Sequence, residues 1–224
     1  MLEIIGMTVE DAKSIEKCGA DRIELVSALT EGGLTPSYGL IESVVNNVDI
    51  PVNVMIRHHA NGFVYSEEDL KIMKKDIQIV KDLGANGVVL GILEEQNNIN
   101  EEHLTELLNE CDGLDVTFHR AIDDTDLNES MKILKKCEKV TNVLTSGGKK
   151  NITENINEIK DIIDEEKRIN ILLGGGLNFD NIDKIKKSTK ATDFHFGTAV
   201  RVDNNPFKGI DEEKLKKLVC LIKS

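Results

Sequence analysis

Histidine and arginine side chains are concentrated where short apolar segments of this sequence end. Four of the five histidines and three arginines lie at or just beyond such ends. They are His58, His59, His119 and His195, with Arg57, Arg120 and Arg201. Imidazole titrates near neutral pH and guanidinium binds anions, so the set is suited to acid/base chemistry on an anionic molecule. The alternative is that each polar group merely caps a loop.

Glu24 lies in the middle of the apolar segment 22–26, on the same strand face as Arg22. A carboxylate in an apolar strand destabilises the fold unless it is paired with a cation or hydrogen-bonded, so one that is retained can indicate a functional role. One interpretation is a structural ion pair with Arg57 or Arg22. The other is a general base or ligand whose pKa is set by burial and by a cationic neighbour.

The most informative segment is 116–123, which reads VTFHRAID. His119 is suited to acid/base work near neutral pH, and Asp123 could orient its ring or hold a cation. A lone strand histidine is more often a core residue. One that is followed by Arg120 and then by an aspartate at a strand end predicts a site. We therefore predict catalytic roles for Glu24, His119 and Asp123.

Two glycine-bearing loops offer backbone N–H groups for binding an anion. Segments 173–178 (LGGGLN) and 196–199 (FGTA) follow the last two strand-like runs, where many barrels hold phosphate. Glycine lets the backbone approach an anion closely, although ordinary tight turns also use it. Segment 144–148 (LTSGG) is a weaker signal of the same kind. The predicted substrate-binding residues are Arg57, Arg120, Ser146, Gly174, Gly175, Gly176, His195, Gly197 and Thr198.

Strands and helices must alternate to bring these positions together. Eight short runs rich in Val and Ile, bounded by Gly, Asn or Asp, are predicted as strands. They are Leu2–Gly6, Arg22–Val26, Pro51–Arg57, Gly87–Leu93, Asp115–Arg120, Asn142–Gly147, Ile169–Leu173 and Asp193–Gly197. Eight units over 224 residues give a period of about 28, which predicts a closed (β/α)8 TIM barrel. An open doubly wound sheet is the alternative, but it rarely needs eight evenly spaced units.

Helical periods separate the predicted strands. Two apolar stripes step by three or four residues: Leu70, Met73, Ile77 and Val80, then Ile152, Ile156, Ile159 and Ile163. Thr8 and Ser66 each precede an aspartate by three residues and predict helix starts, as does Thr35 before Pro36. No Pro/Ser-rich linker divides the chain, so we predict one domain over residues 1–224.

Composition restricts the expected partners and location. The net charge is −12 and the pI about 4.9, without a basic run, which disfavours nucleic acid and anionic membranes. No apolar run approaches the roughly 18 residues of a spanning helix and no signal peptide follows Met1, so we expect a cytoplasmic protein. The four cysteines lack CxxC spacing, which favours reduced structural thiols over disulfides or a zinc site.

These ordered motifs together resemble the CutC family. The resemblance rests on 19–25 (GADRIEL), 31–37 (EGGLTPS) and 55–57 (MIR). It continues through Phe63, 65–66, 116–123, 143–147 and the loop at Gly174, covering the chain to about residue 201. The resemblance implies a cytoplasmic barrel, commonly oligomeric, and by name a role in copper homeostasis. The characteristic polar residues that it implies are Glu24, Arg57, His119, Arg120, Asp123, Ser146 and His195.

The resemblance and the residues leave two functions open. Family members often have cysteine where this chain has Ile5 and Val26, so we expect no cysteine copper site and leave the cofactor unassigned. One hypothesis is an enzyme, a lyase, isomerase or hydrolase, that uses acid/base chemistry on a small anionic or phosphorylated metabolite. We expect it to be a homodimer or higher homo-oligomer. The other is a copper- or metal-binding homeostasis protein without catalysis that uses strand-end histidines and carboxylates.

Overall fold

The computed structural model describes residues 1–223, and within them eight parallel strands close into a barrel. The strands are β1 (Leu2–Gly6), β2 (Arg22–Leu25), β3 (Val52–Met55), β4 (Gly87–Leu90), β5 (Asp115–Phe118), β6 (Val140–Thr145), β7 (Asn170–Leu173) and β8 (Asp193–Phe196). Each strand pairs with the next in sequence, and β8 pairs with β1. The predicted (β/α)8 TIM barrel is confirmed, and the open sheet is not formed.

One helix follows each strand and covers the outside of the barrel. The helices are α1 (Val9–Lys17), α2 (Tyr38–Val45), α3 (Glu67–Asp82), α4 (Glu101–Glu110), α5 (Leu127–Leu134), α6 (Ile156–Glu165), α7 (Ile182–Thr189) and α8 (Glu212–Lys223). The predicted stripe of α3 is fully buried, so its 3.6-residue period marks the face that packs on the strands. The apolar stripe predicted for α6 begins one turn before the helix itself. Its first residue, Ile152, is buried but lies ahead of Ile156, where α6 starts. Among residues 1–223, no helix has the length and apolar character needed to cross a bilayer.

Two of the three predicted helix starts are confirmed. Thr8 and Ser66 each accept a hydrogen bond from the backbone N–H three residues later, at 3.0 and 3.2 Å. The third start was wrong, because α2 is capped by Ser37. Thr35 instead accepts a hydrogen bond from the backbone N–H of Arg57 at 2.8 Å, which ties the loop after β2 to the end of β3.

Several strands end one to three residues earlier than the sequence predicts. β3 ends at Met55 and β4 at Leu90, and His119 is the first residue beyond β5. The backbone N–H of His119 still donates to the carbonyl of Leu90 at 2.8 Å, so hydrogen bonding between β4 and β5 continues one residue beyond the end of β5. Arg57, His119 and Arg120 therefore lie beyond the strands at the carboxyl rim, whereas His195 lies within β8.

Arg201 is part of the core and does not belong to the mouth, contrary to its expected place there. Its side chain is 1% exposed and donates to Asp11 Oδ2 at 2.9 Å and to the carbonyl of Ile5 at 3.1 Å. It also donates to the carbonyl of Lys208 at 2.7 Å. Arg201 therefore fastens the segment after β8 to the end of β1 and the first turn of α1.

We predict that Arg201→Met destabilises the fold by about 3–5 kcal/mol, because it leaves the Asp11 carboxylate buried without its cation. Urea denaturation measures the loss. Adding Asp11→Asn to the same chain should recover part of it, since no charge is then stranded. A loss below about 1 kcal/mol for Arg201→Met would show that the pair is not structural.

Candidate active site

A cavity of about 490 Å³ opens at the carboxyl ends of the strands. Nine of the predicted site residues line it: Glu24, Arg57, His119, Arg120, Gly175, Gly176, His195, Gly197 and Thr198. These residues come from five different strands and the loops that follow them, so only barrel closure could gather them. Asp123, Ser146 and Gly174 are not in the wall of the cavity.

Glu24 is a buried carboxyl group whose charge is incompletely compensated. It is 2% exposed on β2 and lines the cavity. Its Oε1 atom has no hydrogen-bond partner among the described residues, and its Oε2 lies 3.6 Å from His195 Nε2. Burial raises the pKa of Glu24 to about 7, and His195 offsets only part of this effect. The group can therefore give or take a proton near neutral pH.

His195 links Glu24 to a second buried carboxylate, Glu3. The parallel register places Glu3 opposite Arg22 on β2 and opposite His195 on β8. Glu3 contacts His195 Nδ1 at 2.7 Å through Oε1 and accepts from Arg22 Nε at 2.5 Å through Oε2. A Cβ at Gly174 would lie 2.7 Å from Leu144 Cδ1 and 3.1 Å from Cδ2 of the His195 ring, so glycine leaves room for both side chains. The histidine is therefore held between two carboxylates.

The charges around His195 set opposite pKa directions for the two glutamates. Burial opposes ionisation of Glu3, but Arg22 and His195 together lower the pKa of Glu3 to about 2. Burial also works against protonated His195, yet Glu24 and Glu3 outweigh it and raise the pKa of His195. Glu24 and His195 interact directly, so their protons come off as a coupled pair.

Glu3, Glu24 and His195 are close enough together to be considered as metal ligands, since one ligand atom from each lies within 4.8 Å of the others. However, Glu3 and Glu24 face opposite ring nitrogens of His195. Glu3 is also already neutralised by Arg22. The arrangement is suited to passing a proton between the ring and a carboxyl group rather than to holding a cation.

His119 is a neutral hydrogen-bond donor in the cavity wall. Its Nδ1 accepts from the backbone N–H of Ala121 at 3.2 Å, so the neutral ring carries its proton on Nε2. That Nε2 atom is buried and has no partner within residues 1–223. Burial first, then the positive charge of Arg57, lowers the pKa of His119 to about 3. Phe63 packs on the ring at 4.9 Å, and Gly91 leaves room for it, since a Cβ there would lie 2.5 Å away.

Arg57 lines the cavity but is not the charge partner of Glu24, as one interpretation of the sequence expected. Its guanidinium donates to the carbonyls of Glu31 at 2.6 Å and Gly33 at 3.3 Å, and it stacks on Phe63 at 5.0 Å. Its Nε has no partner in the part of the chain that the structure describes. The cations that act on Glu24 are His195 and Arg22. Arg57 therefore lines the cavity with a guanidinium group whose buried Nε is unpaired within residues 1–223.

Asp123 does not orient His119, contrary to expectation. Its carboxylate accepts from Arg120 Nε at 2.8 Å, from Thr145 Oγ1 at 2.5 Å and from the backbone N–H and hydroxyl of Ser146. Ser146 Oγ in turn accepts from the Arg120 guanidinium at 3.2 Å. Asp123 and Ser146 thus fix the direction of Arg120, whose side chain is 48% exposed and lines the cavity. A catalytic role for Asp123 stays a prediction.

The two glycine loops after β7 and β8 lie on the same rim because the strands are neighbours. Gly175 and Gly176 have φ angles of +89° and +87°, a left-handed conformation that side chains strongly disfavour. Both line the cavity together with Gly197 and Thr198, as predicted. Gly174 does not line it. That these loops bind an anion stays a prediction.

Comparison with known proteins assigns the chain to a family. The model of the CutC family matches residues 1–200. The chain belongs to the CutC family. A human copper homeostasis protein cutC homolog is 40% identical over 198 residues, 87% of this chain and 72% of the human protein. A CutC family protein from Pasteurella multocida is 36% identical over 211 residues, 92% of this chain and 85% of that protein.

Solved structures agree with this assignment. A CutC crystal structure from Streptococcus agalactiae matches with a TM-score of 0.82 at 33% identity, covering 88% of this chain and 98% of that chain. Phosphoribosylanthranilate isomerase from Thermotoga maritima matches with a TM-score of 0.66 at 16% identity, covering 99% of this chain and 97% of that chain. At that identity the likeness extends to the barrel fold alone.

The four cysteines of this CutC chain lie outside the candidate site. All four are free, and none lines the cavity: Cys18, Cys111, Cys137 and Cys220. The first three have Sγ within 3.2–3.7 Å of a backbone carbonyl oxygen. Burial raises the pKa of the Cys111 thiol to about 12, far from the thiolate form that binds Cu(I). Among residues 1–223, Met55 is the one sulfur-containing side chain in the cavity wall, and it packs against Ile5 and Val26 in a small apolar cluster.

Sequence reasoning missed Glu3 and Gly91 as parts of this CutC site. Glu3 carries the signal that identified Glu24, an isolated carboxylate in an apolar strand (LEIIG). Its importance depends on the register that sets it opposite Arg22 and His195. Gly91 gives no signal without the structure, because only the position of the His119 ring explains the missing side chain.

We predict that Glu24→Gln stabilises the protein in a pH-dependent manner. Below pH 4.5 the wild-type carboxyl is protonated in both states, and the variant gains little. Above pH 4.5 the Glu24 carboxyl ionises in the unfolded wild type but stays protonated in the folded barrel, which destabilises the wild type. The stability advantage of the variant therefore grows until the pH reaches about 7. Each pKa unit is worth roughly 1.4 kcal/mol, so the plateau should be about 3 kcal/mol.

Urea unfolding of both proteins between pH 4 and 8.5 measures this gain. Glu3→Gln is the matched control and has the opposite sign, because its pKa is lowered to about 2. It should be less stable than wild type by a nearly constant amount above about pH 4.5, because the deficit builds up between pH 2 and 4.5. A Glu24→Gln variant that is less stable than wild type at pH 8 would contradict the raised pKa.

Proposed function

We propose that this chain is an enzyme that transfers a proton on a small anionic metabolite, with Glu24 and His195 as its acid/base pair. The observation that carries the proposal is the unpartnered Oε1 of Glu24, buried in the wall of a cavity at a pKa of about 7. Burial of such a group costs stability, and proton transfer at neutral pH is the chemistry that uses it.

The rest of the cavity supplies complementary groups. His119 offers a neutral Nε2–H, a donor suited to a carbonyl or hydroxyl oxygen next to the carbon that loses its proton. Arg57 and Arg120 bring two positive charges to the mouth of a protein with a net charge of −12. The backbone of Gly175, Gly176 and neighbouring β8-loop residues could hold a carboxylate or phosphate. These groups favour an anionic substrate with an acidic C–H or O–H bond.

The proposal differs from the sequence prediction in two assignments. His195, predicted as a binding residue, becomes the proton partner of Glu24 because only 3.6 Å separates them. Asp123, predicted as catalytic, becomes a positioning residue for Arg120. We also propose a cytoplasmic location, where the four free thiols would stay reduced.

Metal binding in copper homeostasis is the second candidate function. The human relative carries copper homeostasis in its name, and its likeness to this chain extends over most of both. One observation supports a role with metals here: a cluster of His58, His59 and Asp69 whose ligand atoms lie within 4.8 Å of one another. The cluster lies beside the mouth and does not involve Glu24.

The proton-transfer proposal predicts exchange of a substrate C–H hydrogen in D2O. A panel of small phosphorylated ketoses, aldoses and 2-oxo acids is incubated with the protein and followed by ¹H NMR. At least one compound should lose a C–H signal with the wild type, and Glu24→Gln should slow that loss by at least 100-fold. His103→Gln, which alters a histidine on α4 outside the cavity, should exchange at the wild-type rate.

Inorganic phosphate provides an independent probe of the anion site. Its ³¹P signal should shift with the wild type and lose most of that shift with Arg120→Gln, since the side chain faces the mouth. Exchange that persists in Glu24→Gln would contradict the assigned base. No exchange with any compound, together with no phosphate binding, would contradict the function.

A further inference from the structure

A second group of ligating side chains lies in the loop after β3, outside the wall of the cavity. His58 and His59 follow Arg57 in this loop, and Asp69 belongs to the first turn of α3. His58 Nε2 lies 2.9 Å from Asp69 Oδ1, and His59 Nε2 lies 3.7 Å from Asp69 Oδ2. Two imidazole nitrogens therefore converge on one carboxylate.

We propose that His58, His59 and Asp69 form a binding site for a divalent late-transition cation, with Zn²⁺ and Cu²⁺ as the best-matched ions. Ligand atoms bound at about 2.0–2.1 Å in a tetrahedral site lie roughly 3.4 Å apart. The two nitrogen–oxygen separations, 2.9 and 3.7 Å, bracket that spacing. Imidazole and carboxylate are the ligand types that these ions favour, whereas Cu(I) prefers sulfur.

The surroundings of the three residues match a site with open coordination positions. Each side chain is about one-fifth exposed, so water could complete the shell of an ion held by three protein ligands. The His58 Nε2 atom is itself buried and makes no hydrogen bond of normal geometry within residues 1–223, despite its nearness to Asp69. A cation would give this nitrogen a partner.

The orientation of the ligands is fixed by neighbouring groups. Asp69 Oδ2 accepts from the backbone N–H of Ser66 at 2.8 Å and from its hydroxyl at 2.7 Å, so the carboxylate cannot turn away. The His59 ring packs against Tyr65 at 5.0 Å and against His58 at 4.5 Å. Such second contacts hold metal ligands in place and support affinity.

One hydrogen bond must be given up when an ion binds. His59 Nδ1 accepts from the backbone N–H of Asn61 at 3.3 Å, which leaves the proton on Nε2. Ligation through Nε2 requires the proton to move to Nδ1. Asn61 is exposed, so its N–H can bond to water instead, and the cost is small.

The site is independent of the proposed proton transfer. None of its three residues lines the cavity that contains Glu24. The two proposals can therefore fail separately, and Glu24→Gln serves as a control that should leave metal binding unchanged.

Equilibrium binding of Zn²⁺ alone to the tag-free full chain tests the proposal, with isothermal titration calorimetry as the readout. The wild type should bind one equivalent, and His58→Gln/His59→Gln should bind at least tenfold more weakly. With Cu²⁺, electron paramagnetic resonance of the wild type should show nitrogen coupling from two imidazoles, and the double variant should lose it. Circular dichroism and thermal melting confirm that each variant is folded.

Two matched variants separate ligation from other effects. His103→Gln removes another half-buried histidine, the one that lies 3.3 Å from Glu67, and should bind Zn²⁺ as the wild type does. Asp69→Asn keeps an oxygen for the Ser66 cap but loses the charged ligand, so it should weaken binding. Unchanged Zn²⁺ affinity in the double histidine variant, or no one-equivalent binding by the wild type, would overturn the proposal.

Discussion

The parallel register of β8, β1 and β2 decides which charged groups meet in the barrel, and the chemistry of the mouth depends on it. Glu3 lies opposite Arg22 and His195, so its charge is compensated on both sides. Glu24, whose strand partner on β1 is Ile5, has no arginine opposite it. One buried carboxylate is therefore stabilised as an ion, while its neighbour is held near the midpoint of its titration. A shift of register by one residue would turn these side chains away from one another.

Under the proposed function, the groups assigned to proton transfer and the arginine assigned to anion binding lie on different sides of the mouth. Glu24, His195 and Glu3 lie on the β8–β1–β2 side of the barrel, whereas Arg120 is held in place through Asp123 and the end of β6. His119 is kept neutral by burial and by the charge of Arg57.

The fold could be predicted from the sequence because eight strands and their helices each repeat a local pattern that agrees with the whole. Most of the residues that line the cavity could also be predicted, since the carboxyl ends of parallel strands in a barrel share one rim. The predictions that were wrong concerned the direction in which side chains of the loops point. Asp123 turns towards Ser146 rather than His119, and Arg201 is buried because the segment after it folds back to pair with Ile210. Neither the orientation of Asp123 nor the burial of Arg201 can be recognised from a single sequence.

The central claim is that Glu24 titrates near neutral pH inside the folded barrel. Difference infrared spectroscopy in D2O, wild type minus Glu24→Gln, isolates the C=O stretch of this one protonated carboxyl group while the pH is varied. We predict a band that is present at pH 5.5 and disappears with a midpoint near 7. A band that is already lost near pH 4.5, the ordinary value for glutamate, would contradict it.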